Sequence, residues 1–313
     1  MSAEVLRSHA GASSLSGFIV ANPQMVALLA TASRAAASEG KVLITGESGV
    51  GKDLVARHIH AHSRRSGRPF VAVNCAAMTD SLLESELFGH VKGSFTGAYR
   101  DKPGKLQVAH RGTIFLDEVG EMSLRMQAML LRFLENGEIQ SVGSDGHASH
   151  VDVRVVAATN RNLSELIAAG QFREDLMYRL RVIHLEVPPL RERRDDIPPL
   201  VEYFVNRTGR SVRFGEAAMQ LLIRHRWPGN VRELVRRGLS TTRGNYRALL
   251  KLFGMAPADY KRFLNFLAAH DCRADFREFR NGAPEMARRP ELMLPALQKP
   301  KPLSAESPLA SVG

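Results

Sequence analysis

The stretch GESGVGKD, residues 46–53, constrains the fold of this chain more than any other part of the sequence. It follows an apolar run at 41–45 that predicts a buried strand, and it precedes residues 54–59, whose spacing is typical of an amphipathic helix. A strand, a glycine-rich turn and a helix are the context of a phosphate-binding loop, in which successive backbone N–H groups point at an anion. Lys52 would reach the β and γ phosphates, and the helix adds its positive dipole end. The alternative is an ordinary turn capped by a helix.

Polar residues follow three further apolar runs. Asp117 and Glu118 end the run TIFL, Asn74 follows FVAV, and Asn160 follows the run at 151–157. Ligands of parallel sheets bind at the carboxyl ends of the strands, so we expect these residues to meet the phosphate loop in one site. An Asp there can hold Mg²⁺ against the phosphates, and the next Glu can orient a water for in-line attack. A helix N-cap or a solvated acidic turn is the alternative.

Asp53 stands where the general phosphate-loop motif has a Ser or Thr whose hydroxyl ligates Mg²⁺. A carboxylate could hold the metal directly or through water, and the sequence leaves both open. Asp117 and Asp53 are therefore the candidate metal ligands.

Composition limits the class of protein. The chain has 313 residues, enough for two or three domains. No apolar run approaches the roughly 18 residues of a membrane span, and the first residues lack the layout of a signal peptide. Cys75 and Cys272 are the only cysteines, which argues against a disulfide framework. We expect a cytoplasmic protein with no membrane partner.

The formal net charge of +11 is unevenly distributed. Residues 236–313 contain 14 Lys and Arg against 7 Asp and Glu, a net of +7. Such an excess is an electrostatic signal for nucleic acid. A solvated basic tail is the alternative.

Strands alternate with helices up to residue 189 and only helical patterns follow. This order predicts an α/β fold in which a parallel sheet is covered on both faces by helices, with a strand at 151–157 and a helix at 193–203 among its elements. We expect a disordered start, an α/β domain, a short helical lid, a DNA-binding region and a disordered tail, at residues 1–17, 18–188, 189–238, 239–280 and 281–313.

The segment GHVKGSFTGAYRDKPG, residues 89–104, is rich in glycine and has neither a helical nor a strand period. A loop of this length inside a compact domain is usually functional. Its Phe95 has no obvious core to join. The alternative is a flexible insertion with a buried Phe95.

The chain resembles the central AAA+ domain of bacterial sigma-54-dependent transcriptional activators, the enhancer-binding proteins. The motifs GESGxGK, ELFGHxKGxFTGA, GTIFLDE, ATN, FREDLxYRL, PLRER and WPGNVREL of that family occur here in order over residues 18–235. The resemblance implies an ATPase that uses Mg²⁺, with a P-loop NTPase fold and a helical lid. Nucleotide would be bound by the phosphate loop and the lid, through Gly46, Glu47, Ser48, Gly49, Val50, Gly51, Lys52, Asp53 and Arg232.

The resemblance also implies catalytic roles. Asp117 would hold Mg²⁺ and Glu118 would activate water, while Asn74 would pair with that glutamate and switch its orientation between nucleotide states. Asn160 would be the first sensor of the γ-phosphate and Arg232 the second sensor, in the lid.

Arg173 and Arg179 would reach the nucleotide of a neighbouring subunit. An arginine supplied in trans makes hydrolysis depend on assembly, so the resemblance implies a homo-oligomeric ring, a hexamer. Spacing alone favours a surface salt bridge for each of these arginines and for Arg232.

The loop GSFTGA is the signature of the family. By resemblance it contacts sigma-54, with Phe95 and Thr96 at its tip and an aromatic ring as the rigid apolar contact. Ser94 replaces the usual alanine, and we expect its hydroxyl to be tolerated. The residues concerned are Gly93, Ser94, Phe95, Thr96, Gly97 and Ala98.

The helical patterns near the C-terminus resemble, more loosely, a Fis-type helix-turn-helix whose recognition helix spans 258–267. Tyr260, Lys261, Arg262 and Asn265 are the candidate contacts to double-stranded DNA upstream of promoters. The alternative is a helical hairpin that only packs or dimerises.

The sequence therefore predicts an activator that hydrolyses ATP as a ring and remodels sigma-54 RNA polymerase holoenzyme. Two features depart from the family: the 17 residues before Phe18 are too few for a regulatory domain, and the lid is short. We expect control by a partner, by expression, or no control at all. A nucleotide-gated DNA-binding regulator without turnover, and a remodeller of another target, are the alternatives.

Overall fold

Five strands form one parallel sheet in the computed structural model, which describes residues 18–95, 97–144, 148–206 and 216–234. The sheet order is β2-β3-β4-β1-β5, and every neighbouring pair is parallel. The strands are β1 (Val42–Thr45), β2 (Phe70–Asn74), β3 (Thr113–Asp117), β4 (Arg154–Thr159) and β5 (Ile183–Glu186).

Helices connect the strands and cover both faces of the sheet. Alternate residues of a strand point to opposite faces, so Leu43 packs in one core cluster while Val42 and Ile44 pack in another. The described helices are α1 (Pro23–Ala36), α2 (Lys52–Ala61), α3 (Asp80–Phe88), α4 (Lys105–Val108), α5 (Leu124–Asn136), α6 (Leu163–Ala168), α7 (Glu174–Leu180), α8 (Ile197–Asn206) and α9 (Glu216–Arg224).

The predicted α/β fold class is therefore confirmed: a parallel sheet lies between two helical layers. The strands β1, β3 and β4 are buried almost throughout, as the apolar runs predicted. None of the helices within the described ranges is long and apolar enough to span a membrane.

Two element boundaries differ from the expected ones. The strand expected at 151–157 begins at Arg154, because the backbone of Val151 bonds to Gly137 and that of Asp152 to Arg111 instead of to the sheet. The helix expected from residue 193 begins at Ile197, after a 3-10 turn at Arg194–Asp196 whose Asp196 carboxylate accepts bonds from the backbone N–H groups of Ala21 and Asn22.

The glycine-rich segment 89–104 is closed at its base. Gly89–His90 pairs with Lys102–Pro103 in a two-residue antiparallel ladder. A second ladder joins Glu138–Ile139 to Ser149–His150, and the backbone of Val142 in that second hairpin bonds to Gly89 and Val91. The two loops therefore share one hydrogen-bonded base.

The candidate DNA contacts Tyr260, Lys261, Arg262 and Asn265 lie outside the described residues, as do the two termini and Thr96. The domain boundaries expected there, and the end of the lid beyond residue 234, stay predictions.

Candidate active site

The loop between β1 and α2 turns sharply because three of its glycines have positive φ. The φ angles are 146° at Gly46, 79° at Gly49 and 100° at Gly51. A Cβ on Gly49 would lie 2.6 Å from the carbonyl oxygen of Gly229, and one on Gly46 would lie 2.6 Å from that of Val187. Only glycine satisfies both the conformation and the space at these two positions.

Lys52, the first residue of α2, is held at the mouth of this loop. Its side chain is 7% exposed, and its Nζ donates to the carbonyl oxygens of Gly46 at 2.9 Å and Glu47 at 3.3 Å. The same Nζ lies 3.4 Å from Glu118 Oε1. This contact joins the phosphate loop to the acidic pair at the end of β3, although β4 lies between β1 and β3 in the sheet.

Glu118 is fixed by its backbone and by two partners. Its φ of 55° is left-handed, which is uncommon for a residue with a side chain. Its Oε2 accepts a hydrogen bond from the backbone N–H of Asn160 at 2.9 Å, while Oε1 faces Lys52. The carboxylate thus bridges the ends of β3 and β4 and the start of α2.

Asn74 lies in register with Asp117, one strand away. Its Oδ1 accepts a hydrogen bond from Ala76 N at 2.9 Å and so caps the 3-10 turn Cys75–Ala77. The hydrogen bond expected between Asn74 and Glu118 is not among those that the described residues form in this conformation. The role of Asn74 as a switch stays a prediction.

Negative charge accumulates at the end of β3. Burial, the nearby Glu118 and, to a smaller extent, Asp53 together raise the pKa of Asp117 to about 6, against the opposing effect of Lys52. Burial, with the charges of Asp117 and Glu118, also raises the pKa of the Cys75 thiol. A half-buried carboxylate with two acidic neighbours is a donor set that suits a divalent cation.

No group of three or more His, Cys, Asp or Glu side chains with metal-binding geometry occurs within the described ranges. In nucleotide sites Mg²⁺ is usually bound by one or two carboxylates together with substrate phosphates. Asp117 and Asp53 stay the predicted ligands, and the carboxylate of Asp53 is close enough to Asp117 to raise its pKa.

The lid residues contact the phosphate loop directly. Arg232 donates from its guanidinium to Ser48 Oγ at 2.7 Å, and Asn230 donates from Nδ2 to Glu47 Oε2 at 3.0 Å and to the carbonyl of Ser48 at 3.1 Å. Arg191 forms a bidentate ion pair with Glu47, at 2.6 and 2.9 Å. Sequence reasoning gave no role to Arg191 or Asn230, although both lie within the quoted motifs PLRER and WPGNVREL.

Arg173 and Arg179 lie on the surface at α7, where each pairs with a carboxylate. Arg173 pairs with Asp175 at 2.7 Å, and Arg179 lies 3.8 Å from Glu135. Exposed pairs of this kind contribute little stability, so a phosphate of another subunit could replace either carboxylate. The trans role of both arginines stays a prediction.

The loop signature is exposed at its tip and ordered at its base. Phe95 is 45% exposed, and its ring meets the edge of His90 with centroids 4.9 Å apart. The N–H of Gly93 bonds to the carbonyl of Ala98 at 2.9 Å, and Gly93 and Gly97 have positive φ. Phe95 therefore does not join the core, which removes the alternative of a buried ring.

Fold and site together define a AAA+ protein: a β2-β3-β4-β1-β5 sheet, a phosphate loop after β1, an Asp–Glu pair after β3 and a lid on the loop. A sequence model of the Sigma-54 interaction domain matches residues 18–186, and one of the AAA+ ATPase lid domain matches 191–238. The chain belongs to the Sigma-54 interaction domain family.

Characterised relatives agree with this assignment. The transcriptional regulatory protein ZraR of Klebsiella oxytoca is 51% identical over 238 residues, covering 74% of this chain and 54% of ZraR. The Nif-specific regulatory protein of Enterobacter agglomerans is 55% identical over 197 residues, 62% of this chain and 38% of that protein. This chain thus spans about half the length, or less, of the curated relatives it matches.

Among solved structures, NtrX of Brucella abortus in complex with ADP is similar. It has a TM-score of 0.65 and 38% identity, over 75% of this chain and 52% of NtrX. The same protein in complex with ATP gives a TM-score of 0.64 at 33% identity, over 80% of this chain and 69% of the other.

Removing the charge of Asp117 should stabilise the protein without nucleotide or metal. Because the folded pKa lies above the unfolded value, the proton on Asp117 stabilises the fold at low pH, and this stabilisation is lost as the pH rises through about 6. In EDTA at pH 7.5, Asp117→Asn should raise the free energy of unfolding by about 1–3 kcal/mol, and the gain should vanish near pH 4.

Urea unfolding at several pH values measures this difference. The control is Glu135→Gln, which neutralises a half-exposed carboxylate and should change stability by less than about 0.5 kcal/mol. An Asp117→Asn protein that is no more stable than wild type at pH 7.5 would contradict the raised pKa.

Proposed function

We propose that this chain hydrolyses ATP in the presence of Mg²⁺, as a ring of identical subunits, and uses the reaction to remodel sigma-54 RNA polymerase holoenzyme at promoters. The observation that carries the proposal is the contact of 3.4 Å between Lys52 and Glu118. It joins a phosphate-binding loop to an acid that can orient water. Family membership and the exposed Phe95 support sigma-54 as the target.

Each residue of the site has its own role in the proposed hydrolysis of ATP. The loop N–H groups and Lys52 would bind the β and γ phosphates of ATP, and Asp117 with Asp53 would hold Mg²⁺, which neutralises charge on those phosphates. Glu118 would orient a water towards the γ-phosphorus. As the new oxygen–phosphorus bond forms, the bond to the β-phosphate oxygen breaks, giving ADP and phosphate. Asn160 and Arg232 would sense the γ-phosphate.

Two further elements complete the proposal. The C-terminal region, with Tyr260, Lys261, Arg262 and Asn265, would bind double-stranded DNA upstream of the promoter, in line with its basic charge. Arg173 and Arg179 would complete the site of the neighbouring subunit in a ring, a hexamer by family resemblance. The nucleotide complexes of NtrX and the names of the regulatory relatives support the nucleotide and transcriptional parts.

Mixing two inactive variants tests the shared site. Glu118→Gln lacks the water-orienting acid and Arg179→Ala lacks the arginine, so each alone should lose at least about 100-fold in ATPase rate. In a mixed ring, an Arg179→Ala subunit keeps its own Glu118 and receives an arginine from a Glu118→Gln neighbour. Equimolar mixing should therefore restore a sizeable fraction of the wild-type rate, measured as phosphate release.

The control mixture replaces Arg179→Ala with Lys52→Ala, which removes a group of the same site as Glu118. A neighbour cannot supply either Lys52 or Glu118, so this pair should stay inactive. Restoration in neither mixture would contradict the trans role, and an ATPase rate of Glu118→Gln equal to wild type would contradict hydrolysis at this site.

Isomerisation of a sigma-54–promoter DNA complex, read as a gel shift, tests the target. Wild type should shift the complex with ATP and not without nucleotide, and Phe95→Ala and Thr96→Ala should abolish the shift because the loop tip is the contact. Tyr99→Ala is a matched control: it removes an 88% exposed aromatic ring of the same loop outside GSFTGA and should keep the shift.

No shift with ATP, at a concentration where the protein forms a ring, would overturn the activator. DNA binding with no ATP turnover would then favour the nucleotide-gated regulator. A shift that survives in Phe95→Ala would place the contact elsewhere.

A further inference from the structure

We infer that Glu47, Arg191 and Asn230 form a latch that positions the phosphate loop from the lid side, and that Glu47 acts through this latch and not as a ligand of the nucleotide. We call these three residues the lid latch. The inference deepens the proposed nucleotide site and rests on it only for the affinity measurement below.

The carboxylate of Glu47 is fully engaged by the lid latch. Arg191 donates to both of its oxygens, at 2.6 Å to Oε1 and 2.9 Å to Oε2, and Asn230 Nδ2 donates to Oε2 at 3.0 Å. These contacts lower the pKa of Glu47, in which the hydrogen bond from Arg191 has the largest effect. A carboxylate held in this way is directed to the lid, and it would also repel phosphates.

Asn230 joins three separate segments of the chain. It is fully buried and has a φ of 52°, a conformation that asparagine tolerates better than most residues. Its Oδ1 accepts from the N–H of Leu190 at 2.7 Å, and its Nδ2 donates to Glu47 and to the carbonyl of Ser48. The side chain therefore fixes the turn that carries Arg191 and the loop that carries Glu47.

Further hydrogen bonds hold the next two carbonyl groups of the phosphate loop, so that they also face the lid. The carbonyl of Gly49 accepts from the N–H groups of Val231 at 3.0 Å and Arg232 at 3.3 Å. The carbonyl of Val50 accepts from the buried guanidinium of Arg193 at 2.6 Å. Three consecutive loop carbonyls, those of Ser48, Gly49 and Val50, are thus bound by residues of the lid and of the segment leading into it.

This arrangement orients the anion-binding groups. In a planar trans peptide the C=O and the following N–H point in opposite directions. Carbonyls of residues 48–50 that face the lid therefore turn the N–H groups of Gly49, Val50 and Gly51 away from it. Those N–H groups are the ones a phosphate loop offers to an anion.

The lid latch should consequently couple lid position to nucleotide affinity. A loop that is already ordered by the lid loses less conformational entropy when it binds phosphates, so breaking the latch weakens binding. Because linkage is reciprocal, nucleotide must stabilise the contacts between the lid and the phosphate loop by the same factor.

Glu47→Gln is the variant that tests the lid latch, because it removes the charge and keeps the size. Titration with a fluorescent ADP analogue should show affinity weakened about three- to five-fold, because the pair is bidentate but its side chains are 42% and 39% exposed and therefore partly screened by solvent. Glu192→Gln is the matched control: Glu192 also faces Arg191, at 3.8 Å, but is exposed, and its loss should change affinity less than two-fold.

Amide hydrogen exchange in nucleotide-free protein gives a second measurement that does not depend on nucleotide binding. The amides of Val231 and Arg232, which donate to Gly49, should exchange faster in Glu47→Gln and in Arg191→Lys than in wild type and Glu192→Gln. Arg191→Lys keeps the charge but loses the bidentate geometry. A variant with both Glu47→Gln and Arg191→Lys should bind nucleotide no more weakly, and exchange these amides no faster, than the more severe single variant. The reason is that both changes break the same interaction.

The outcomes separate the two proposals. If wild type binds no nucleotide, the proposed function fails while faster exchange in Glu47→Gln still supports the lid latch. If wild type binds nucleotide, and Glu47→Gln matches it in affinity and in exchange, the lid latch is wrong. Additive losses in the double variant would also overturn it, since they would show that Glu47 and Arg191 act separately.

Discussion

The position of β1 determines the rest of the site. It lies between β4 and β5, and its last residue, Thr45, is in register with Thr159 and with Glu186. The three strands therefore end at the same height in the sheet. The residues that follow them, Gly46, Asn160 and Val187, consequently lie side by side. A loop that turns back there has room only for glycine at its first position. The register of β1 with its neighbours thus determines where the phosphate loop begins and why its first residue is glycine.

The alignment of the strand ends also brings the acidic pair, Asp117 and Glu118, close to other charged groups. Asp117 ends β3 in line with Asn74, and Glu118 turns by its left-handed φ towards Lys52. Three acidic groups around one buried ammonium make the site unfavourable for folding at neutral pH and favourable for a cation. The charges around Asp117 therefore lower the stability of the fold at neutral pH, a cost that is common where charges are concentrated for binding.

The sequence predicted the strands that are buried on both faces and the residues at their ends, because those depend on local apolar runs. It did not predict the start of β4, since Val151 and Val153 alternate like a strand while the backbone of Val151 and Asp152 bonds to neighbouring segments instead of to the sheet. It also missed the lid latch, whose partners Glu47 and Asn230 are 183 positions apart. Contacts over such separations have no local pattern, and only the fold brings them together.

Ser94 packs closely against the second hairpin. Its Oγ is buried with no hydrogen-bond partner among the described residues, and a Cβ on Gly143 would lie 2.5 Å from Ser94 Cβ. The expectation that its hydroxyl is tolerated stays a prediction. The contact between Ser94 and Gly143 fixes the base of the glycine-rich loop 89–104 against the second hairpin, while Ser85 and His90, 2.7 Å apart, fix it against α3. Since α3 follows the short turn that Asn74 caps, one helix of about 13 Å connects the nucleotide edge of the sheet to the base of the loop. The base of the loop is therefore held on two sides, by the second hairpin and by α3, while Phe95 at its tip stays exposed.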